Sequence, residues 1–209
     1  MKKAVIVDFD LTLVKVNSFE LFYKELAKYF IQSLHINYFV FLLYLILLRK
    51  TRLITHATLK KKTLFFIENV DINSFISIFI EKLSTFLDYD VVDYIHKYRC
   101  EGYVCYLCTA APEMYIIPFL KNTKLEFDEV ICSAQPQKDL EWKENLGNAK
   151  KESTMKALKK RGETLAVLLT DHRDDMPLLK IRKEKNILIH PSIHTIEEVE
   201  KEHIEYDVL

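Results

Sequence analysis

The stretch Met1-Lys2-Lys3-Ala4-Val5-Ile6-Val7-Asp8-Phe9-Asp10-Leu11-Thr12 decides the fold. Ala4–Val7 is a short β-branched, apolar run that breaks into carboxylates, the pattern of a buried strand opening into a loop. Its four apolar residues are too few for a secretory leader, so the segment reads as structure. Four runs of the same kind follow: Val104–Cys108, Val130–Cys132, Leu165–Leu169 and Ile187–Ile189. Continuous apolar strands separated by helical stretches specify a parallel sheet covered on both faces. Between the first and second strands lies a long block with no strand signal. Ser18–Ser33, Ile36–Leu48, Thr58–Glu68 and Ile72–Leu87 all carry apolar residues at three- and four-residue spacing there, which predicts helices. The expected fold class is therefore α/β, with a sheet core over 1–15 and 96–209 and an inserted α-helical cap domain over 16–95.

The bulk numbers narrow the function. A chain of 209 residues holds one α/β domain and a smaller insertion. Its 30 basic and 30 acidic side chains balance, so no net positive field exists to hold nucleic acid. Three glycines nearly exclude a glycine-rich phosphate cradle; side chains and a metal must replace it if phosphate is bound. Cys105 and Cys108 form a CxxC pair, but within an apolar strand they read as core cysteines rather than as metal or redox ligands. A reduced, cytoplasmic compartment is the default expectation.

Chemistry gathers at the strand ends. The first strand ends in Asp8 and Asp10, the second in Thr109, and the fourth in Thr170-Asp171 with Asp174 and Asp175 behind it. In open parallel sheets ligands bind beyond the carboxyl ends of the strands. Two like charges about 4 Å apart repel by about 4 kcal/mol in a partly shielded site, so gathering these carboxylates calls for a cation. Hard carboxylate oxygens suit Mg²⁺, which keeps waters and accepts a phosphate oxygen.

These residues resemble the haloacid dehalogenase superfamily, in its phosphatase branch with a helical cap after the first strand. Asp8-Phe9-Asp10-Leu11-Thr12-Leu13 is similar to the family's DxDxT motif, and Leu107-Cys108-Thr109-Ala110-Ala111-Pro112-Glu113 to its second. Thr170-Asp171-His172-Arg173-Asp174-Asp175-Met176-Pro177-Leu178-Leu179 is similar to its acidic fourth motif. The resemblance implies a Rossmann-like core and a phosphomonoester hydrolase working through an aspartyl-phosphate. It makes Asp8 the nucleophile, Asp10 the general acid and base, and Thr109 a donor to a phosphoryl oxygen. It assigns Mg²⁺ to Asp8, Asp10, Asp171 and Asp175, with Asp10 contributing its main-chain carbonyl and Asp175 in support. Thr12, Asn17 and Ala110 fall at substrate-contacting positions. For the third motif, Gly147-Asn148-Ala149-Lys150-Lys151 selects Lys150 by resemblance, whereas helix register favours Lys151, with Met155 and Leu158 on its apolar face.

Two departures stand out: Leu11 occupies a position where the family commonly has glycine, and His172 one where it has serine. Asn17 stands where phosphoserine phosphatases of this branch carry a glutamate that meets the substrate's ammonium, which disfavours phosphoserine. The expected partner is a small-molecule phosphate ester or a lipid phosphate. Ile36–Leu48 spans about 20 Å as a helix, short of the roughly 30 Å hydrocarbon core. It reads first as a buried cap helix or homodimer face; peripheral membrane contact is the lesser reading. Two rivals accompany the phosphatase: a phosphomutase of the same fold, and a phosphate-binding module without turnover. Receiver domains are such modules, but they lack a helical insertion and a second carboxylate two residues past the acceptor.

Overall fold

The computed structural model describes residues 1–68, 70–138 and 140–209. Each apolar run expected as a strand is one. They form β1 Lys2–Val7, β2 Val104–Pro112, β3 Glu129–Ser133, β4 Glu163–Thr170 and β5 Lys185–Leu188, joined by a short edge strand β6 Asp207–Val208. The sheet order is β3-β2-β1-β4-β5-β6, with every neighbouring pair parallel. β6 carried no sequence signal, because two exposed residues at an edge need neither an apolar run nor alternation.

Strand alternation divides the core. Val5, Val7, Cys105 and Leu107 face one apolar layer, and Ala4, Ile6, Tyr106 and Cys108 face the other. The two CxxC thiols therefore lie on opposite faces of the sheet. One face is covered by α5 Tyr89–Cys100 and α6 Glu113–Thr123, the other by α7 Asn148–Arg161, α8 Met176–Leu179 and α9 Ile193–Lys201.

The block after β1 folds as α1 Ser18–Gln32, α2 Ile36–Lys50, α3 His56–Ile67 and α4 Asn73–Ser84. Caps set two of its boundaries: Asn17 Oδ1 accepts the Glu20 N–H at 2.9 Å, and Thr55 Oγ1 accepts the Thr58 N–H at 3.1 Å. The fourth helix stops short of the expected Leu87, because the chain there pairs with its own outgoing segment. Val14 bridges antiparallel to Leu87, Lys15 donates to the Phe86 carbonyl at 2.8 Å, and Asp88 donates to that of Leu13 at 2.9 Å. The chain thus leaves and re-enters the core side by side. Helix α5 begins just past this junction and runs unbroken through 95 and 96, where the sequence had suggested a boundary. Packing of Phe22 and Phe79 on Tyr115, at centroid distances of 5.4 and 5.3 Å, fastens the helical block to α6.

Helix α2 departs from the buried reading. Only Leu42 and Leu45 of its fifteen residues are fully buried, while Ile36, Val40, Leu43, Tyr44 and Leu47 lie open to solvent.

Candidate active site

The register of β1 places the acidic residues. Val7 pairs with Leu107 on one side and Leu169 on the other, so Asp8, one residue on, and Thr109 and Asp171, two residues on, reach the same carboxyl rim. The Asp8 N–H donates to the Leu169 carbonyl at 3.0 Å, holding the start of the loop to β4. A cavity of about 240 Å³ opens there, lined by Asp8, Asp10, Thr109, Lys150, Asp171 and Asp175 from the core and by Asn17 and Lys60 from the helical block.

Lys150 is buried, with Nζ 2.9 Å from Asp8 Oδ1 and 2.7 Å from Asp175 Oδ2. Burial opposes its charge, but the carboxylates of Asp175 and Asp8 override that and hold the ammonium above its ordinary pKa. Lys151 does not line the cavity. The buried face of α7 runs through Lys150, Thr154 and Leu158, and Met155 is exposed. A hydroxyl set this register: Thr154 lies 2.8 Å from Cys108 Sγ and donates to the Lys150 carbonyl at 2.7 Å, so a polar residue occupies an inward position. Gly147 precedes the helix at φ 57° and ψ −121°, a conformation open essentially to glycine.

Asp175 also accepts from the Thr170 hydroxyl at 2.7 Å. Lys150 donates to the same oxygen, so two buried donors converge on it. Asp175 enters the site on a 3₁₀ turn, Arg173–Asp175, whose first residue follows His172; His172 Nδ1 accepts the Asp174 N–H at 3.1 Å. Histidine thus takes the capping role open to a serine at that place. Asp171 accepts from the buried Thr12 hydroxyl at 3.3 Å. Thr12 therefore supports a carboxylate and does not line the cavity, whereas Ala110 and Asn17 do. Asp10 Oδ1 accepts the Ser18 N–H at 2.6 Å at the N-terminus of α1, which orients the carboxyl. Thr109 Oγ1 accepts the Ala111 N–H at 3.0 Å, and its own hydroxyl proton is free to point into the cavity.

Leu11 adopts φ 55°, a left-handed conformation that costs a leucine about 1–2 kcal/mol. The loop thus keeps a path suited to glycine.

Several lining residues escaped the sequence reading. Lys60 on α3 is almost fully buried; it donates to the Ala110 carbonyl at 3.3 Å and forms an ion pair with Glu144. Its register was the available signal, since Lys60, Leu64 and Ile67 share the inward face of α3. Phe19, beneath the Lys60 ammonium at 5.0 Å, and His56 complete that wall. Asn145 locks the strand ends behind the cavity, donating to the Thr109 carbonyl at 2.9 Å and the Ile131 carbonyl at 3.3 Å.

The charges do not balance. Asp8, Asp10, Glu144, Asp171, Asp174 and Asp175 line the cavity against the ammonium groups of Lys60 and Lys150. Burial, with Asp175 and Asp10 nearby, pushes Asp8 up to about 7 despite Lys150. Burial and then the charge of Asp8 push Asp171 up to about 8. Burial likewise raises Asp10, against the Ser18 hydrogen bonds. Among the described residues no group of three His, Cys, Asp or Glu side chains is placed to hold a metal ion. Mg²⁺ needs no such group, since one or two carboxylates and several waters suffice. The oxygen-only donor set and the surplus of carboxylates fit that ion.

A model of the family of haloacid dehalogenase-like hydrolases matches residues 5–180. The chain belongs to that family. A protein of unknown function from Bordetella pertussis Tohama I has a similar fold, at a TM-score of 0.80 and 16% identity, with 100% of this chain and 98% of that one covered. A substrate-bound phosphoserine phosphatase is similar at a TM-score of 0.65 and 16% identity, covering 100% and 93%. A phosphoserine phosphohydrolase-like protein from Francisella tularensis subsp. tularensis SCHU S4 is similar at 0.58 and 20%, covering 100% and 95%. At such identities the likeness is one of fold. No curated protein matches the sequence.

Proposed function

We propose that the chain is a Mg²⁺-dependent phosphomonoesterase that works through a phosphoryl group on Asp8. One observation carries the reading: Asp8, Asp10 and Asp171, from two distant segments, line one small cavity together with the buried Lys150. Magnesium, held by Asp8, Asp171 and the main-chain carbonyl of Asp10, would neutralise a phosphoryl oxygen and let two anions meet.

A free oxygen of the Asp8 carboxylate attacks phosphorus, and the bond from phosphorus to the ester oxygen breaks. Asp10, whose carboxyl is raised by burial, gives its proton to that leaving oxygen. Thr109 donates to one phosphoryl oxygen, and Lys150 offers its ammonium beside the nucleophile. In the second half Asp10 takes a proton from water, the hydroxide attacks phosphorus, and the bond to Asp8 breaks to release inorganic phosphate.

The cavity volume favours a small ester, or only the head of a larger one. Asn17 commits its carbonyl oxygen to capping α1, and as a neutral amide it supplies no charge for a substrate ammonium. Phosphate release from an aryl phosphate tests the assignment. Activity is expected with Mg²⁺, lost in EDTA and lost in Asp8→Asn. Equal inertness of wild type and variant over a broad ester panel contradicts it, and transfer to a second hydroxyl without free phosphate indicates a mutase.

A further inference from the structure

Helix α2 carries a feature the proposed chemistry leaves unused. It is apolar on nearly every side, a composition normally reserved for an interior. Yet Ile36, Val40, Leu43, Tyr44 and Leu47 recur at helical spacing on one face and are 46% to 59% exposed. Leu34 before the helix and Leu53 after it are more exposed still. Charge is segregated over the same region. From Leu26 to Ile67 the chain has no Asp or Glu but seven basic residues; Lys28 pairs with Glu25 and the buried Lys60 with Glu144, which leaves Arg49, Lys50, Arg52, Lys61 and Lys62 for this face, although the whole sequence balances 30 against 30. Arg49, Lys50 and Arg52 follow the stripe directly and are exposed. Beside it opens a groove of about 900 Å³, in which Phe41 and Phe65 stand with Lys61, Lys62 and Lys138.

We propose that this face docks on an anionic lipid bilayer, with α2 lying in the plane of the surface. Its fifteen residues reach about 22 Å, less than the roughly 30 Å hydrocarbon core. Among the described residues no helix is long and apolar enough to cross a membrane. An in-plane helix instead inserts its apolar stripe at the headgroup boundary while flanking Lys and Arg reach lipid phosphates. A second copy of the chain is the poorer occupant, because it presents the same acid-free face and leaves these cations unmatched. The inference does not depend on the phosphatase reading.

Flotation with vesicles decides it. Full-length protein is expected to float with equimolar phosphatidylcholine and phosphatidylglycerol, less with phosphatidylcholine alone, and less as salt rises. One basic side chain near an anionic surface contributes about a five-fold gain in partitioning. Arg49→Glu/Lys50→Glu should therefore weaken binding by more than about ten-fold. Val40→Glu/Leu43→Glu should abolish it. These positions are exposed and outside the cavity, so both variants should keep wild-type circular dichroism and hydrolyse a soluble aryl phosphate as wild type does. The proposal fails if wild type ignores phosphatidylglycerol vesicles at low salt, or if both variants float undiminished. It fails equally if wild type sediments as a dimer without binding vesicles and Val40→Glu/Leu43→Glu turns it into a monomer.

Discussion

Lys150 brings one positive charge between Asp8 and Asp175, with contacts of 2.9 and 2.7 Å, and in the proposed chemistry its ammonium stands beside the phosphoryl group on Asp8. Lys150→Met should lower kcat by about 10²–10³, the usual cost of losing one well-placed donor, while Lys151→Met stays close to wild type. Steady-state rates on an aryl phosphate check both. The carboxylates that line the cavity were legible in the sequence because a strand end fixes where the residues just past it lie. The lysine was not, because its choice hung on helix register, and Thr154 turned inward where an apolar residue was expected. Leu11 supplies a second test. Its φ of 55° is tolerated better by asparagine than by leucine. Leu11→Asn should raise stability by about 0.5–1 kcal/mol in denaturant titration; a loss of stability would mean that the leucine side chain contributes more than its strained backbone costs.

At the scale of elements, five strands and four inserted helices were readable because apolar periodicity reports burial directly. Where pattern and burial diverged, the reading diverged too. The composition of α2 suggested a buried cap helix or a homodimer face, and within the chain five of its apolar side chains remain open to solvent. Conversely, α3 hid a buried lysine within Lys60-Lys61-Lys62, a run that looks like a solvated face until its register is laid against Leu64 and Ile67. Lys60 joins α3 to Glu144 in the loop before α7, across the junction of helical block and core. Breaking one partner of a buried pair leaves the other uncompensated, so Lys60→Met should cost about 3–5 kcal/mol. Lys60→Met combined with Glu144→Gln should recover most of that loss. Thermal melts of the two single variants and the double variant measure the difference, and additive losses would refute the pairing.

For the molecule as a whole, the carboxylate surplus at the sheet rim links stability to pH. Burial raises Asp8 to about 7 and Asp171 to about 8, whereas unfolded carboxylates titrate near about 4. The folded state then keeps protons the unfolded chain has released, so stability declines as pH rises from about 4 to about 8. Mg²⁺ competes with those protons and should restore stability at the alkaline end of that window. Melting temperatures in EDTA and in Mg²⁺ across the range check the sign; curves that coincide at pH 8 would speak against a metal at this rim. The claim on which all the chemistry rests is that Asp8 carries the phosphoryl group. Its most direct test is mass spectrometry of Asp10→Asn quenched in acid during turnover of an aryl phosphate, where loss of the base should leave the intermediate standing. The account predicts a hydroxylamine-labile phosphoryl adduct on the peptide containing Asp8, and an adduct on any other residue would contradict it.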